Sequence, residues 1–388
     1  MDAIIRELIK AVLEGRTPRF TVKPFVRIKG GTLALLVAVD FGNDAAKGAV
    51  FDEEGNLHTI RIPTAYQRAE AIQAGQQEVS YSLGGESFWV GQTALRHRGD
   101  PLDIGPSVQR FQDGRLIPVL AATIVELLRS AGYAPGNYTI ALGFAIPNNE
   151  IQLVPKDDGT EKLGVIPEVQ KLLLERLKGA TWTVERQDEQ RNSTTWSLNV
   201  ATVAPQAQTA GTVLVYTKAA NGRTVTRLEG LKVIDIGGGD LQDTEVRFDP
   251  YQIISRRRGD GTIRIAREMK GLFPSADLND VAAQHALVSR RLMVSGQTRD
   301  ISPQVEQLLA SKGSSLISDI LPSLRQTGLF VVITGGGVIL LNGMLENRLL
   351  AENKKPMEDY ELIDPSVASV LNAIGALFGT LFLISGRE

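Results

Sequence analysis

The chain has 388 residues, of which 43% are hydrophobic and 22% charged, and its 42 basic and 44 acidic residues leave a net charge of −2 at pH 7. This balance argues against direct, electrostatically driven binding to nucleic acid. The absence of cysteine excludes disulfides and thiolate sites, and the three histidines are scattered, so any metal would need oxygen ligands, which suits magnesium.

Residues 1–32 are predicted to form an N-terminal extension with one amphipathic helix that ends at Gly15. Its apolar face consists of Ile4, Ile5, Leu8, Ile9, Val12 and Leu13. We favour packing of this helix against the same chain, and a partner-binding arm is the alternative. The segment lacks a cleavage site of small residues, and the chain lacks a run of about eighteen apolar residues that would span a membrane. A cytoplasmic location is therefore expected.

The first core strand is predicted at the start of the segment LALLVAVDFGNDAAK, which spans 33–47. An apolar run is followed by a carboxylate, a glycine, small polar residues and a lysine: Asp40, Gly42, Asn43, Asp44 and Lys47. A glycine turn allows close approach of the backbone to an anion. The alternatives are a carboxylate that only caps the turn and, for Lys47, an exposed charge on a helix.

Strands and helices alternate along the middle of the chain. The sequence predicts a hairpin at 79–91, a helix at 117–131, a strand at 138–146, a helix at 165–178 and a strand at 197–203. This succession is typical of an α/β fold.

Two further apolar strands also end in glycines. The segment KVIDIGGGD, residues 232–240, places Asp235 before Gly237, Gly238 and Gly239. The segment LFVVITGGG, residues 329–337, ends in Gly335, Gly336 and Gly337. A single glycine triplet is weak evidence for a phosphate-binding turn, since such triplets also make ordinary turns. Three strand-to-glycine turns in one chain strengthen that interpretation.

The second half of the chain repeats the order of the first: strand, glycine turn, hairpin, helices and strand. We therefore expect a loose internal duplication of the architecture. Two α/β lobes facing each other across a cleft would place both aspartate-glycine turns beside one ligand, because sites in such folds lie beyond the strand ends.

These motifs resemble those of the superfamily that contains actin, sugar kinases and the ATPase domains of heat-shock chaperones. Its first phosphate loop is similar to Asp40, Gly42 and Lys47, and its second to Asp235 followed by Gly237–Gly239. Its adenosine loop is similar to Thr334–Gly337. The resemblance covers residues 34–385 and implies a two-lobed, duplicated ribonuclease H-like ATPase fold with a nucleotide cleft between the lobes.

Within this superfamily the chain is most similar to the bacterial actin-like ParM/StbA proteins. The resemblance rests on YSLGGESFWVGQTA at 81–94, PQAQTAG at 205–211 and DPSVASVLNAIG at 364–375. It implies a first lobe at 33–229 with a hairpin subdomain at about 63–91, and a second lobe at 230–363 with a small subdomain at about 258–309. Residues 364–388 would form a helix that returns to the first lobe.

The resemblance also implies roles for individual residues with ATP or ADP and Mg²⁺. Asp40 and Asp235 would act on the metal through water. The phosphates would contact Gly42, Asn43, Asp44, Lys47, Gly237, Gly238 and Gly239. Gly335, Gly336 and Gly337 would lie against the nucleoside, with Lys270 as a candidate at its rim or, in the favoured alternative, a solvated helix charge.

The family places a water-orienting glutamine or glutamate in the first connecting segment. Gln206 is the candidate in this sequence and Gln208 the second choice; a plain connector glutamine is the alternative. Asn43 and Asp240 depart from the residues that are usual at their positions, which predicts a slow or altered hydrolysis.

The main hypothesis is therefore an ATPase that polymerises into nucleotide-controlled filaments for plasmid or DNA segregation or a cytoskeletal role. Self-association would be accompanied by an adaptor protein linking the filament to DNA or membrane. The alternatives are a monomeric kinase that phosphorylates a small alcohol, which would need a catalytic carboxylate where the sequence offers glutamines, and a non-polymerising scaffold.

Overall fold

The computed structural model describes residues 24–42, 44–69, 78–97, 99–102, 107–155, 161–209, 211–213, 230–248, 251–294, 297–325, 328–356 and 358–385. The predicted N-terminal helix and Asn43 lie outside these residues. The described residues form two compact units. The first unit contains the residues up to Gly211 together with those from Asn372 onward, and the second unit runs from Thr212 to Leu371.

The first unit is built on a sheet in which the strands β4-β3-β2-β9-β13 form one half. Strands β2, β3 and β4 are antiparallel to one another, whereas β9 lies parallel to β2 and β13 parallel to β9. The order continues with β12-β6-β7-β5-β8, β1 also pairs with β2, and β10 pairs with β11. The bounds are β1 (Phe25–Arg27), β2 (Leu33–Phe41), β3 (Ala45–Phe51), β4 (Leu57–Pro63), β5 (Ala65–Arg68), β6 (Ser80–Leu83), β7 (Glu86–Val90), β8 (Asp100–Pro101), β9 (Asn137–Ile146), β10 (Ile151–Pro155), β11 (Glu161–Val165), β12 (Thr181–Gln187) and β13 (Ser193–Ala207).

Helices cover this sheet. They are α1 (Gly91–Arg96), α2 (Ser107–Gln112), α3 (Leu116–Ser130), α4 (Pro167–Leu177) and the C-terminal helix (Leu371–Ser385), with a short 3₁₀ turn at Asn148–Glu150. The central strands β2 and β3 are buried along almost their whole length, as expected for strands covered on both faces. The rings of Phe51 and Phe378 meet edge to face at 5.6 Å, which packs the C-terminal helix onto β3. Each such buried aromatic or aliphatic side chain contributes about 1.5–3 kcal/mol.

The second unit contains a five-stranded sheet with the order β16-β15-β14-β19-β20. Strands β14, β15 and β16 are antiparallel to their neighbours, and β19 and β20 continue parallel to β14. Strands β17 and β18 form a separate hairpin. The bounds are β14 (Gly230–Ile236), β15 (Leu241–Phe248), β16 (Tyr251–Gly259), β17 (Arg291–Val294), β18 (Gln297–Asp300), β19 (Phe330–Thr334) and β20 (Tyr360–Leu362).

The helices of the second unit follow the same alternation. They are α5 (Ile263–Leu272), α6 (Asp280–Ser289), α7 (Ser302–Leu308), α8 (Ser314–Arg325), α9 (Val338–Ala351) and α10 (Pro365–Ala368), with a 3₁₀ turn at Pro274–Ala276 and a π turn at Leu309–Gly313. Among the helices that the structure describes, none is both long and apolar enough to cross a membrane.

The two units repeat one sheet plan. In each, three antiparallel strands are followed by two strands parallel to the first, so β2, β3, β4, β9 and β13 correspond to β14, β15, β16, β19 and β20. The predicted duplication is therefore present in the strand order. Asp40 and Asp235 occupy equivalent places, since each is the last residue but one of the first strand of its sheet.

Candidate functional site

The first glycine turn joins β2 to β3. The amide of Gly42 donates to the carbonyl oxygen of Ala45 at 3.0 Å, and Asp40 lies opposite Lys47 in the antiparallel register. Strand β3 therefore begins directly after the turn, at Ala45. The alternative of a helix charge for Lys47 is wrong, because this lysine is a buried strand residue.

Charged side chains of both signs surround this turn. The Lys47 Nζ lies 3.8 Å from Oδ2 of Asp40 and 3.3 Å from Oδ1 of Asp44. Arg61 Nη2 donates to the other carboxylate oxygen of Asp44 at 2.7 Å. Burial alone would raise the pKa of Asp44, but the charges of Lys47 and Arg61 outweigh it and hold that pKa well below its usual range. Asp44 is thus an ionised carboxylate shared by two cations.

Arg61 was not among the residues predicted from the sequence. It reaches the turn because β3 and β4 are antiparallel and the register places Arg61 directly opposite Lys47. The signal available in the sequence was the short hairpin between these two strands, whose pairing sets the position of Arg61.

Gly42 lies directly beside the end of the Lys47 side chain. A Cβ added to Gly42 would collide with Nζ of Lys47. The ammonium group of Lys47 therefore lies directly against the backbone of the turn. This is the turn at which Lys47 was predicted to contact the phosphates. Its neighbour Asn43 is outside the described residues.

The two candidate glutamines face different parts of the first unit. Strand β13 is longer than predicted and includes Gln206, whose Nε2 donates to the Ala376 carbonyl and the Thr380 hydroxyl of the C-terminal helix, each at 2.9 Å. Gln208 follows the strand, and its Nε2 donates to Oδ1 of Asp40 at 2.9 Å. The structure therefore brings Gln208, and not Gln206, to the first glycine turn.

The extension of β13 has a local cause. Strand β12 pairs only with Ser193–Asn199, so the later part of β13 has β9 as its neighbour on one side. Pro205 lies in this later part of β13, and proline is tolerated in strands at the edge of a ladder. Strand β13 therefore continues through Pro205 to Ala207.

The second glycine turn joins β14 to β15 and is held by the backbone. The amide of Gly237 donates to the carbonyl of Asp240 at 2.8 Å. The Gly238 carbonyl accepts from the Ile263 amide at 2.7 Å and from Gln284 Nε2 at 3.0 Å. The start of α5 is thereby fixed against this turn.

The third glycine turn lies beside the second, because β19 is parallel to β14 and Asp235 pairs with Thr334. Gly335 has a φ of +99°, and a Cβ on it would collide with Oδ1 of Asp235. The amide of Gly337 donates to the Ile236 carbonyl at 2.7 Å. The second unit therefore gathers Asp235 and both of its predicted glycine triplets at one sheet edge.

Two other predicted residues of the second unit have partners. Oδ2 of Asp240 accepts from Gln242 Nε2 at 2.8 Å. Lys270 Nζ donates to Asp280 at 2.7 Å, which links α5 to α6 through a partly exposed ion pair. This contact agrees with the surface-charge alternative for Lys270, and its role at a nucleoside rim stays a prediction.

No family model matches this sequence, and no curated protein matches it either. Solved structures do. The chain superposes on Ta0583, an archaeal actin homologue, with a TM-score of 0.61 and 16% identity over 91% of this chain and 99% of that one. For Bacillus thuringiensis ParM with ATP, the TM-score is 0.61 and the identity 14%, over 90% of this chain and 99% of that one. For apo pSK41 ParM, the TM-score is 0.58 and the identity 16%, over 91% of this chain and 98% of that one. The fold is actin-like.

Each unit of this actin-like fold brings part of the predicted site together. The first unit gathers Asp40, Gly42, Asp44 and Lys47 with Gln208, the second choice among the glutamines, and the structure adds Arg61. The second gathers Asp235 with the glycines of its two turns. Gln206 donates to the C-terminal helix, and Lys270 forms an ion pair with Asp280.

Among the residues that the structure describes, the aspartates do not form a metal site from protein ligands alone. Within the described ranges, no group of three or more acidic or histidine side chains converges on one point. Asp40 and Asp235 each precede a glycine turn, and the second carboxylate of the first turn, that of Asp44, is already bonded to Lys47 and Arg61. This donor set fits a metal that takes most of its ligands from water and phosphate, as Mg²⁺ does.

Proposed function

We propose that this actin-like chain binds ATP together with Mg²⁺ and hydrolyses it slowly. The observation that carries the proposal is the equivalence of Asp40 and Asp235, each standing before a glycine turn at the end of the first strand of a repeated sheet. In open α/β folds, ligands bind beyond the carboxyl ends of the parallel strands. The similar Bacillus thuringiensis ParM was solved with ATP and with ADP, and Ta0583 with ADP, which supports a nucleotide as the ligand.

The glycine turns fit phosphates and a nucleoside. A Cβ added to Gly42 would collide with Nζ of Lys47, and a Cβ added to Gly335 would collide with Oδ1 of Asp235. Glycine at these two positions therefore lets each charged group lie against the backbone of its turn. We assign the backbone of Gly42–Asp44 and Gly237–Gly239 to the phosphates, together with Lys47. Gly335–Gly337 are assigned to the nucleoside.

Bound Mg²⁺ would neutralise negative charge on the phosphates and so ease transfer of the terminal one. Asp40 is proposed to hold water of the Mg²⁺ hydration shell in the first unit, and Asp235 is proposed for the equivalent role in the second unit. Gln208 is the better candidate to orient the attacking water, because its amide already contacts Asp40 whereas that of Gln206 is bound to the C-terminal helix. A neutral amide orients water without taking a proton from it.

We further propose that the nucleotide state controls self-association into filaments, with an adaptor protein linking them to DNA or membrane. ParM proteins among the similar structures support this choice over a monomeric kinase. Repeated head-to-tail contact gives an open filament when the rotation between copies does not close. A role in plasmid or DNA segregation or in a cytoskeleton follows from the same resemblance.

One experiment tests both levels of the proposal. ATP binding is measured by calorimetry, and the same protein is then sedimented with ATP and Mg²⁺, with ADP and Mg²⁺, and without nucleotide. We expect binding in the first two conditions and a pellet that depends on the nucleotide. Binding without any pellet or light scattering over a wide concentration range would leave the nucleotide site and remove the filament. Absence of binding would remove the nucleotide site itself.

A further inference from the structure

Asp44 is the unusual residue of the first glycine turn. The hydrogen bond from Gly42 to Ala45 matches the one from Gly237 to Asp240, so the two turns align residue by residue. In this alignment Asp44 stands where the second turn has Gly239. One turn thus carries a buried carboxylate at a place where the other carries no side chain.

The carboxylate of Asp44 is held by the two cations nearest the turn. Lys47 Nζ lies 3.3 Å from one oxygen and Arg61 Nη2 lies 2.7 Å from the other. Since Lys47 and Arg61 are direct neighbours across β3 and β4, their like charges need an anion between them. Asp44 supplies that anion.

We propose that Asp44 is an internal counter-anion that competes with the terminal phosphates of the nucleotide for Lys47 and Arg61. The inference rests on the proposed function and concerns the same turn. Together with Asp40, the four charged groups sum to zero, so an entering phosphate meets a neutral cluster. Asp44 therefore weakens the binding of phosphate chains and sets a threshold for nucleotide binding.

Arg61 becomes a second phosphate-binding cation in this scheme. Its side chain is 27% exposed, compared with 9% for Lys47, so it is the more accessible of the two charges. A guanidinium that releases one carboxylate oxygen offers the same donor to a phosphate oxygen. The competition is thus an exchange of one anion for another on the same two cations.

The test compares the wild type with Asp44→Asn, with Arg61→Gln and with the double variant Asp44→Asn/Arg61→Gln. Ligands are ATP with and without Mg²⁺, inorganic tripolyphosphate, and adenosine, with affinities measured by calorimetry and thermal stability measured with and without each ligand. Asp188→Asn is the matched control, since it removes one carboxylate from an exposed hairpin turn of the same unit.

We expect Asp44→Asn to bind ATP and tripolyphosphate about tenfold more tightly, a change of about 1.4 kcal/mol, with adenosine unchanged. The melting temperature of Asp44→Asn without ligand should fall, because two cations lose their shared anion. Adding ATP should raise the melting temperature of this variant more than that of the wild type. The double variant also removes the repulsion between Lys47 and Arg61, so its melting temperature without ligand should stay near that of the wild type. It should lack the gain in affinity seen in Asp44→Asn, because that gain requires Arg61.

If the wild type binds ATP and Asp44→Asn binds it no more tightly, the inference is overturned and the proposed function stays intact. If Asp44→Asn does not fold, the double variant decides: an affinity for tripolyphosphate below that of Arg61→Gln alone would also overturn it. Absence of ATP binding in the wild type and in every variant would instead remove the proposed function. An equal gain in Asp188→Asn would assign the effect to net charge and overturn the role of the turn.

Discussion

The two aspartate-glycine turns occupy the same place in two copies of one sheet plan, yet they are stabilised in different ways. Side-chain charge holds the first: the carboxylate of Asp44 contacts both Lys47 and Arg61. Hydrogen bonds to its main chain hold the second: the Gly237 amide donates to Asp240, and the Gly238 carbonyl accepts from the Ile263 amide and the Gln284 side chain. The first turn should therefore respond to changes of charge, and the second to any added side chain.

The largest effect is expected for Asp235, the aspartate that precedes the second glycine turn. Asp235→Ala should abolish ATP turnover, because it removes the carboxylate that precedes the second glycine turn and lies against Gly335 of the third. Turnover is measured as phosphate release at saturating ATP. Asp319→Ala is the control, since it removes an exposed carboxylate of the same unit that pairs with Arg264. Retained turnover in Asp235→Ala would take that residue out of the site.

The next comparison adds a methyl group to each unit. Gly335→Ala should lower the free energy of unfolding by about 1–3 kcal/mol, because its φ of +99° disfavours an L-residue and its Cβ would meet Asp235 and the Ile236 backbone. Gly42→Ala should cost less, since its Cβ meets the end of the flexible Lys47 side chain. Denaturant unfolding of both variants tests this order. A larger loss for Gly42→Ala would contradict the distinction between charge-held and backbone-held turns.

The fold was largely predictable from the sequence, and the details of the first turn were not. Apolar strands ending at Asp40 and Asp235 indicate buried strands with ligand-facing ends, and helix α3 and strand β9 lie within one residue of their predicted bounds at either end. The contribution of Arg61 depends on strand register, which a single sequence defines poorly. The positions of Gln206 and Gln208 depend on where β13 ends, and the strand continues to Ala207, beyond its predicted end at 203.

A smaller effect separates the two glutamines near the first turn. Gln208→Ala should slow ATP turnover on the order of 100-fold with little change in ATP affinity, as expected for a group that orients the attacking water. Gln206→Ala should instead lower the free energy of unfolding by about 1–2 kcal/mol, because it removes two hydrogen bonds to the C-terminal helix. Single-turnover kinetics and thermal unfolding of both variants separate the roles. The reverse pattern would return the water-orienting role to Gln206.

The smallest effect is expected at Lys270 in the second unit. Its ion pair with Asp280 is partly exposed, and such pairs contribute less than about 1 kcal/mol to stability. Lys270→Met keeps the aliphatic stem on α5 and removes only the charge. We expect unchanged ATP affinity by calorimetry, with Arg290→Met as the control for loss of another exposed pair in this unit, that with Glu306. A clear loss of affinity in Lys270→Met alone would show that α5 contributes a side-chain charge to nucleotide binding, and the second unit would then resemble the first more closely than its backbone-held turn suggests.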